Sequence, residues 1–212
     1  MKPSSFFGFA LSGQLLASAS SIAAEVEPGF MALTDGKSFD GWKPAEVNSE
    51  TWRIEDGAFV TRGKTCHLFY VGQEAPFKNF DLKVDVMTEH GANGGIYFHT
   101  KYQKEGWPKA GFECQVNNTH TDWIRTGSIY GVANIGACPA QDSVWWTQEI
   151  IVKGNSVMVL INGIKVLQYN EPPGTEAGKD SGHKLSEGTF ALQAHDPLSV
   201  VRYKNIRVKR LD

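Results

Sequence analysis

The side chains in this sequence that could do chemistry gather in three short stretches where they recur at every second position. In Gly95–Lys101, Ile96 and Phe98 alternate with Tyr97 and His99. In Gly111–Asn117, Phe112, Cys114 and Val116 alternate with Glu113, Gln115 and Asn117; in Thr189–His195, Phe190, Leu192 and Ala194 alternate with Ala191, Gln193 and His195. Successive side chains of a strand point to opposite faces, so each stretch turns one apolar side to a core and one polar side outward. A hydrated sheet face is ordinary in antiparallel proteins, but it is usually built from Lys, Glu and Thr. Tyr97, His99, Glu113, Gln115, Asn117, Gln193 and His195 instead supply a carboxylate, imidazoles and amides. Such groups both donate to and accept from hydroxyls, and Glu113 with His195 on one face is a pair that pure binding would not need.

The segment between the second of these strands and the next apolar run adds to the set. QVNNTHTDWIRTGSIY (Gln115–Tyr130) carries His120, Asp122, Arg125 and Ser128. Turn chemistry accounts for its Asn, Thr and Ser residues, whereas the charges of His120, Asp122 and Arg125 go beyond what a turn requires. Asn117-Asn118-Thr119 matches a glycosylation sequon. Among the six tryptophans, Trp52 and Trp123 are the ones expected to offer faces for stacking on a sugar, and at least one of Trp145 and Trp146 is expected in the core.

The elements that must position these residues read as β-strands. Short alternating runs bounded by Gly, Asn, Asp and Pro occur at Trp52–Val60, Phe80–Thr88, Gly95–Lys101, Phe112–Asn117, Ser128–Val132, Gln148–Lys153, Val157–Ile161, Ile164–Tyr169, Gly188–His195 and Val201–Val208, and no convincing helical period appears. Asn162-Gly163 predicts a tight hairpin turn, and the Pro- and Gly-rich stretch Glu171–His183 predicts a long loop. The expected fold class is all-β, a jelly-roll sandwich of two antiparallel sheets.

The chain of 212 residues is 41% hydrophobic with a formal net charge of −2, enough for one core and without the basic patch of a nucleic-acid binder. Cys66, Cys114 and Cys138 form no disulfide framework and no C-x-x-C metal pair, and read as small buried hydrophobes. Lys2, the apolar stretch Phe6–Ala17 and the small residues up to Ala24 form a secretory-signal pattern, predicting a leader over residues 1–24, a mature domain over 25–212 and a periplasmic or secreted product. The apolar stretch is broken by Ser12, Gly13 and Gln14 and is short for a bilayer, so no membrane span is expected.

FMALTDGKSFDGW (Phe30–Trp42), TWRIEDGAFV (Thr51–Val60), NGGIYFHT (Asn93–Thr100), GFECQVNNTHTD (Gly111–Asp122), TGSIYG (Thr126–Gly131), FALQAHD (Phe190–Asp196) and the closing VVRYKNIRVKRL, in that order, resemble the family of 3-keto-disaccharide hydrolase domains. The resemblance implies a concanavalin-like β-sandwich, export, and action on glycosides oxidised to a ketone at C3. It carries Glu113 over from a Gly-Tyr-Glu-Val-Gln pattern and His195 from a Gln-Asp-His-Gly pattern, the latter written here Gln193-Ala194-His195-Asp196. A C3 ketone acidifies the C2 hydrogen, so the implied chemistry is proton abstraction at C2 with β-elimination at C1, with or without later addition of water. His195 is then the expected base, and Glu113 would share that role, orient the histidine or return a proton to the leaving oxygen. His99, Glu113 and His195, on one expected face, could also form a two-His, one-carboxylate set for a divalent ion that polarises the ketone. The competing expectation is a carbohydrate-binding module without catalysis, since sandwiches host many such domains.

Overall fold

The computed structural model describes residues 27–179 and 182–212. The leader expected over residues 1–24 lies outside the described residues. Among the described residues are thirteen strands: β1 Met31–Ala32, β2 Trp42–Pro44, β3 Trp52–Glu55, β4 Ala58–Thr61, β5 Cys66–Tyr70, β6 Phe80–Thr88, β7 Gly94–Thr100, β8 Phe112–Val116, β9 Trp146–Lys153, β10 Ser156–Ile161, β11 Ile164–Asn170, β12 Thr189–Ala194 and β13 Val201–Arg210. They form two antiparallel sheets, an eight-stranded one in the order β11-β10-β9-β6-β13-β4-β3 with β1 on β13, and a five-stranded one in the order β2-β5-β12-β7-β8. The all-β sandwich expected from the alternation is what the chain adopts.

Local sequence explains most boundaries. Asn162 and Gly163 both adopt positive φ (51° and 77°), the turn that joins β10 to β11 without splaying them. Trp52–Val60, expected as one run, is a hairpin, because Asp56 and Gly57 turn the chain at positive φ between β3 and β4. Ser128–Val132, expected as a strand, makes only isolated bridges through Ile129 to Cys114 and Ala133. Strand β5 had no alternation to reveal it, because all five of its residues are buried, Leu68 on the core side and His67 and Phe69 under a loop.

The inner faces of the sheets meet in an aromatic-rich core. Phe77 stacks on Phe190 at 4.6 Å, Phe80 meets Phe190 edge-on at 5.0 Å and Phe98 stacks on Phe112 at 5.4 Å. Trp146 is in this core, and so is Trp52, whose ring packs toward Tyr203; Trp52 therefore cannot contact a ligand, contrary to expectation. The three cysteines are free thiols, two of them buried. Phe190 joins both sheets directly beneath the polar face that carries Gln193. Phe190→Ala should cost about 3–5 kcal/mol in chemical denaturation, the range for emptying an aromatic site that cannot collapse.

Candidate active site

Strand register turns the alternation into a grid. On the face of the five-stranded sheet turned away from the core, one cross-strand row runs Lys43, Phe69, Ala191, Tyr97, Glu113, and the next runs His67, Gln193, Gly95, Gln115. Asn93, Tyr97, Glu113, Gln193 and His195 line a cavity of about 400 Å³ on this face, joined in its wall by Trp107, Asp122, Tyr130 and His183 from the loops.

Glu113 reaches diagonally across the grid. One carboxylate oxygen accepts the Tyr97 hydroxyl (2.7 Å) and the other accepts Gln193 Nε2 (2.8 Å). The path lies over Gly95, where a Cβ would stand 2.4 Å from Glu113 Oε1. The glycine makes room for the carboxyl group. The residue is mostly buried and its accessible edge lines the cavity. Burial raises its pKa to about 7 against the lowering effect of the two hydrogen bonds, with a further push from the Asp122 charge. Tyr97 is raised well above a normal phenol, first by burial and then by the Glu113 charge.

His195 follows β12. Its Nδ1 and Asp196 Oδ2 are 2.8 Å apart. Asp196 is itself fixed by the Ser199 hydroxyl (2.7 Å) and the Leu198 amide (2.8 Å). Burial opposes its ionisation, but the hydrogen bonds from Ser199, His195 and Leu198 outweigh it and hold the carboxyl below the usual range. An ionised Asp196 keeps the imidazole proton on Nδ1 and leaves Nε2 as the basic nitrogen. The aspartate one residue after the histidine thus supplies its local partner.

His120 stands edge-on to His195, ring centroids 5.6 Å apart. Its Nδ1 accepts the Asp122 amide (3.1 Å), so the neutral ring carries its proton on Nε2 as a fixed donor. The loop is braced from within: Asn117 Nδ2 donates to the carbonyls of Asp122 (3.0 Å) and Ile124 (2.8 Å), and Arg125 donates to the carbonyls of His120 and Asp122 and to Asn117 Oδ1. Ser128 Oγ accepts the Ile135 amide (2.9 Å). Asn117, Arg125 and Ser128 are thus loop braces, not cavity-lining groups, and Asn117, fully buried, cannot be a glycan acceptor. Asp122 is what the loop delivers to the cavity lining, and His120 reaches the site through its ring contact with His195.

Other expected contacts fall elsewhere. Gln115 is buried one layer back, donating to Asn93 Oδ1 (2.9 Å). Trp123 is exposed and does not line the cavity. His99, at φ 55°, leaves the alternation of β7; its Nε2 meets the Lys78 carbonyl (2.9 Å) and its Nδ1 accepts the Ser186 amide (3.2 Å). The His99, Glu113 and His195 metal set is therefore not formed. His120, His195 and Asp196 do approach within 4.8 Å of one another. Asp196 Oδ2 and His120 Nδ1 already accept protein hydrogens and Asp196 Oδ1 accepts the Leu198 amide, so an ion at this cluster would have to share or displace these bonds. Sequence reasoning missed His67, Asn93, Trp107, Tyr130 and His183. A tryptophan in the polar Lys101–Ala110 connection was the one usable signal among them.

Residues 29–209 match the family described as the 3-keto-alpha-glucoside-1,2-lyase-like domain. The chain is 26% identical over 234 residues, covering 87% of this chain and 79% of the relative, to a protein of Bacteroides thetaiotaomicron named 3-keto-disaccharide hydrolase. Its fold is similar to that of a Parabacteroides distasonis protein provisionally named a glycosyl hydrolase, with a TM-score of 0.72, 25% identity and coverage of 87% of this chain and 94% of the other. It also resembles the carbohydrate-binding module CBM66 of Bacillus subtilis, with a TM-score of 0.58, 14% identity and coverage of 79% and 94%, a likeness of fold alone.

The raised Glu113 pKa makes this residue a cost to folding. The folded state keeps a proton that the unfolded chain gives up, so the parent loses stability as pH climbs from about 4.5 to about 7 and does not regain it above. Glu113→Gln keeps partners for Tyr97 and Gln193 and has no charge to bury. Its thermal midpoint should match the parent's below about pH 4.5 and exceed it increasingly toward pH 8, by up to about 3 kcal/mol in unfolding free energy.

Proposed function

Because the chain belongs to the 3-keto-alpha-glucoside-1,2-lyase-like family, we propose that it cleaves glycosides bearing a C3 ketone by elimination across C1 and C2. The observation that carries this reading is the placing of a near-neutral buried carboxyl and an Asp-backed imidazole on one cavity.

His195 Nε2 takes the C2 proton, and the C2–H electron pair delocalises into the ketone as an enolate. His120, with its Nε2–H fixed beside His195, donates to the enolate oxygen. The enolate then expels the C1 substituent, forming a C1–C2 double bond and breaking the glycosidic C–O bond, while Glu113 in its acid form protonates the departing oxygen. Return of the proton from His195 to C2, with addition of water at C1, would make the net reaction a hydrolysis; release of the enone makes it a lyase. Asp196 stabilises the imidazolium between the two halves. A binding module has no use for a carboxyl kept protonated at a cost to stability, which favours the enzyme over the non-catalytic alternative. The same reading includes export, with residues 1–24 as a cleaved leader, and N-terminal sequencing of material from the periplasm or medium would test it.

Incubation with a panel of 3-keto glucosides, followed by product identification, should show enone or free 3-keto sugar; no turnover of any member would overturn the proposal. Loss of the Glu113 proton should make kcat/KM fall above about pH 7, and His195→Ala should slow turnover roughly 10²–10⁴-fold. Asp196→Asn would present an amide N–H to Nδ1 and force the imidazole proton onto Nε2. It should cost kcat roughly 10²–10⁴-fold with little change in KM.

A further inference from the structure

Beside the reacting groups lie two polar atoms that the protein leaves unmet. His67 and Gln193 are directly paired across β5 and β12, with their side chains on the cavity face. Gln193 spends its Nε2 on Tyr97 (3.1 Å) and Glu113 (2.8 Å), which turns its carbonyl away from both. That Oε1 and His67 Nε2 are buried and have no hydrogen-bond partner among the described residues. Leaving a buried donor or acceptor unpaired costs about 1–3 kcal/mol, and side chains directly opposite across two strands stand roughly 5 Å apart at Cβ. The imidazole also carries no charge, since burial, assisted by the nearby His195, pushes its pKa down to about 3.

The cover over these atoms is Trp107. Its ring meets His67 edge-on at 5.4 Å and reaches His195 at 5.6 Å, while about half of the residue remains exposed. Gln103 shapes the loop that carries it, donating to the carbonyls of Glu105 (2.7 Å) and Trp107 (2.7 Å) and accepting the Lys109 amide (3.1 Å). Tyr97 closes the opposite side of the imidazole at 5.3 Å.

We propose that His67 Nε2 and Gln193 Oε1 form a subsite for one sugar hydroxyl, opened when the Trp107 ring shifts and closed again over the bound ring. The chemistry selects the ligand. In its Nε2–H tautomer the neutral imidazole offers one donor there, and the amide carbonyl accepts only, so the matching group must accept one hydrogen bond and donate another. A hydroxyl does both. A carboxylate or phosphate would meet the carbonyl oxygen with its own charge, and an apolar group would leave both atoms unpaired. The subsite fixes which hydroxylated ring enters and so acts on specificity; it rests on the reading of the cavity as a glycoside site.

The test is a substitution crossed with deoxy ligands. Binding of methyl glucoside and its monodeoxy analogues to the parent, His67→Leu and His67→Gln would be measured by calorimetry, alongside thermal melting. His67→Leu removes a buried unpaired group, so it should melt at or above the parent temperature while binding methyl glucoside roughly tenfold more weakly. One monodeoxy analogue should bind the parent roughly tenfold more weakly, and for that analogue alone His67→Leu should add no further loss. His67→Gln, with an amide N–H at similar reach, should recover most of the affinity. Parent-like binding of every analogue by both variants, or a loss that adds to every deoxy position equally, would overturn the subsite. Turnover of 3-keto glucosides by a parent that shows no dependence on His67 would overturn it while sparing the proposed reaction. A parent that neither binds nor turns over any glucoside would overturn both.

Discussion

A carboxyl group laid flat on a β-sheet needs the space that a neighbouring Cβ would fill, and at Glu113 that space is Gly95. With room made, the carboxyl can touch two strands besides its own, taking Tyr97 from β7 and Gln193 from β12. Both partners donate, which would ordinarily lower its pKa. Burial wins nevertheless, and the group sits near neutrality. The rest of the face is arranged around this: Gln193, having given its N–H groups to the carboxyl and the phenol, is left with an unpartnered carbonyl.

The second half of the site hangs on Asn93. Its amide N–H donates to Ser199 Oγ (2.9 Å), whose hydroxyl holds Asp196; its side-chain oxygen accepts Gln115, and its side-chain nitrogen lies 3.5 Å from His120 Nδ1. One residue at the entry to β7 thereby ties the turn that carries His195 to the loop that carries His120. Each link is weak alone, but a satisfied network in a low-dielectric setting fixes geometry better than its separate bonds would. Arg125 and Asn117 do the same for the loop interior.

Two-residue alternation made much of this legible. It placed Tyr97, Glu113, Gln193 and His195 on one face and Phe112, Cys114 and Phe190 in the core, where they are. It failed at His99, because a positive φ at that residue breaks the period locally and turns the side chain to the backbone of Lys78. It was silent at His67, because a strand buried on both faces has no polar side to alternate with. The loop Gln115–Tyr130 was read for its charges, and only the fold separates the two uses of charge there. Arg125 satisfies carbonyls, whereas Asp122 lines the cavity and His120 packs its ring against His195. Trp52 misled for a related reason: a tryptophan beside a turn can serve a core as well as a surface, and only the inner face of β3 decides.

An acid and a base placed in direct contact would exchange their proton and settle as an ion pair, with neither in its working form. Here each is bound to something else. Glu113 is held by Tyr97 and Gln193, His195 by Asp196, and no hydrogen bond joins Glu113 to His195 among the described residues. The two environments also pull in opposite senses, desolvation favouring the neutral carboxyl and the Asp196 carboxylate fixing the tautomer of the imidazole. The neutral His67 matters to this balance as well. Were it cationic, it would draw the proton off Glu113 and repel the imidazolium that the proposed reaction would form on His195, so its burial under Trp107 favours both members of the pair. The arrangement the proposed elimination would use, a carboxyl of raised pKa and an imidazole with a fixed tautomer facing the same small space, is therefore sustained by three separate desolvation and hydrogen-bond choices rather than by one tuned group.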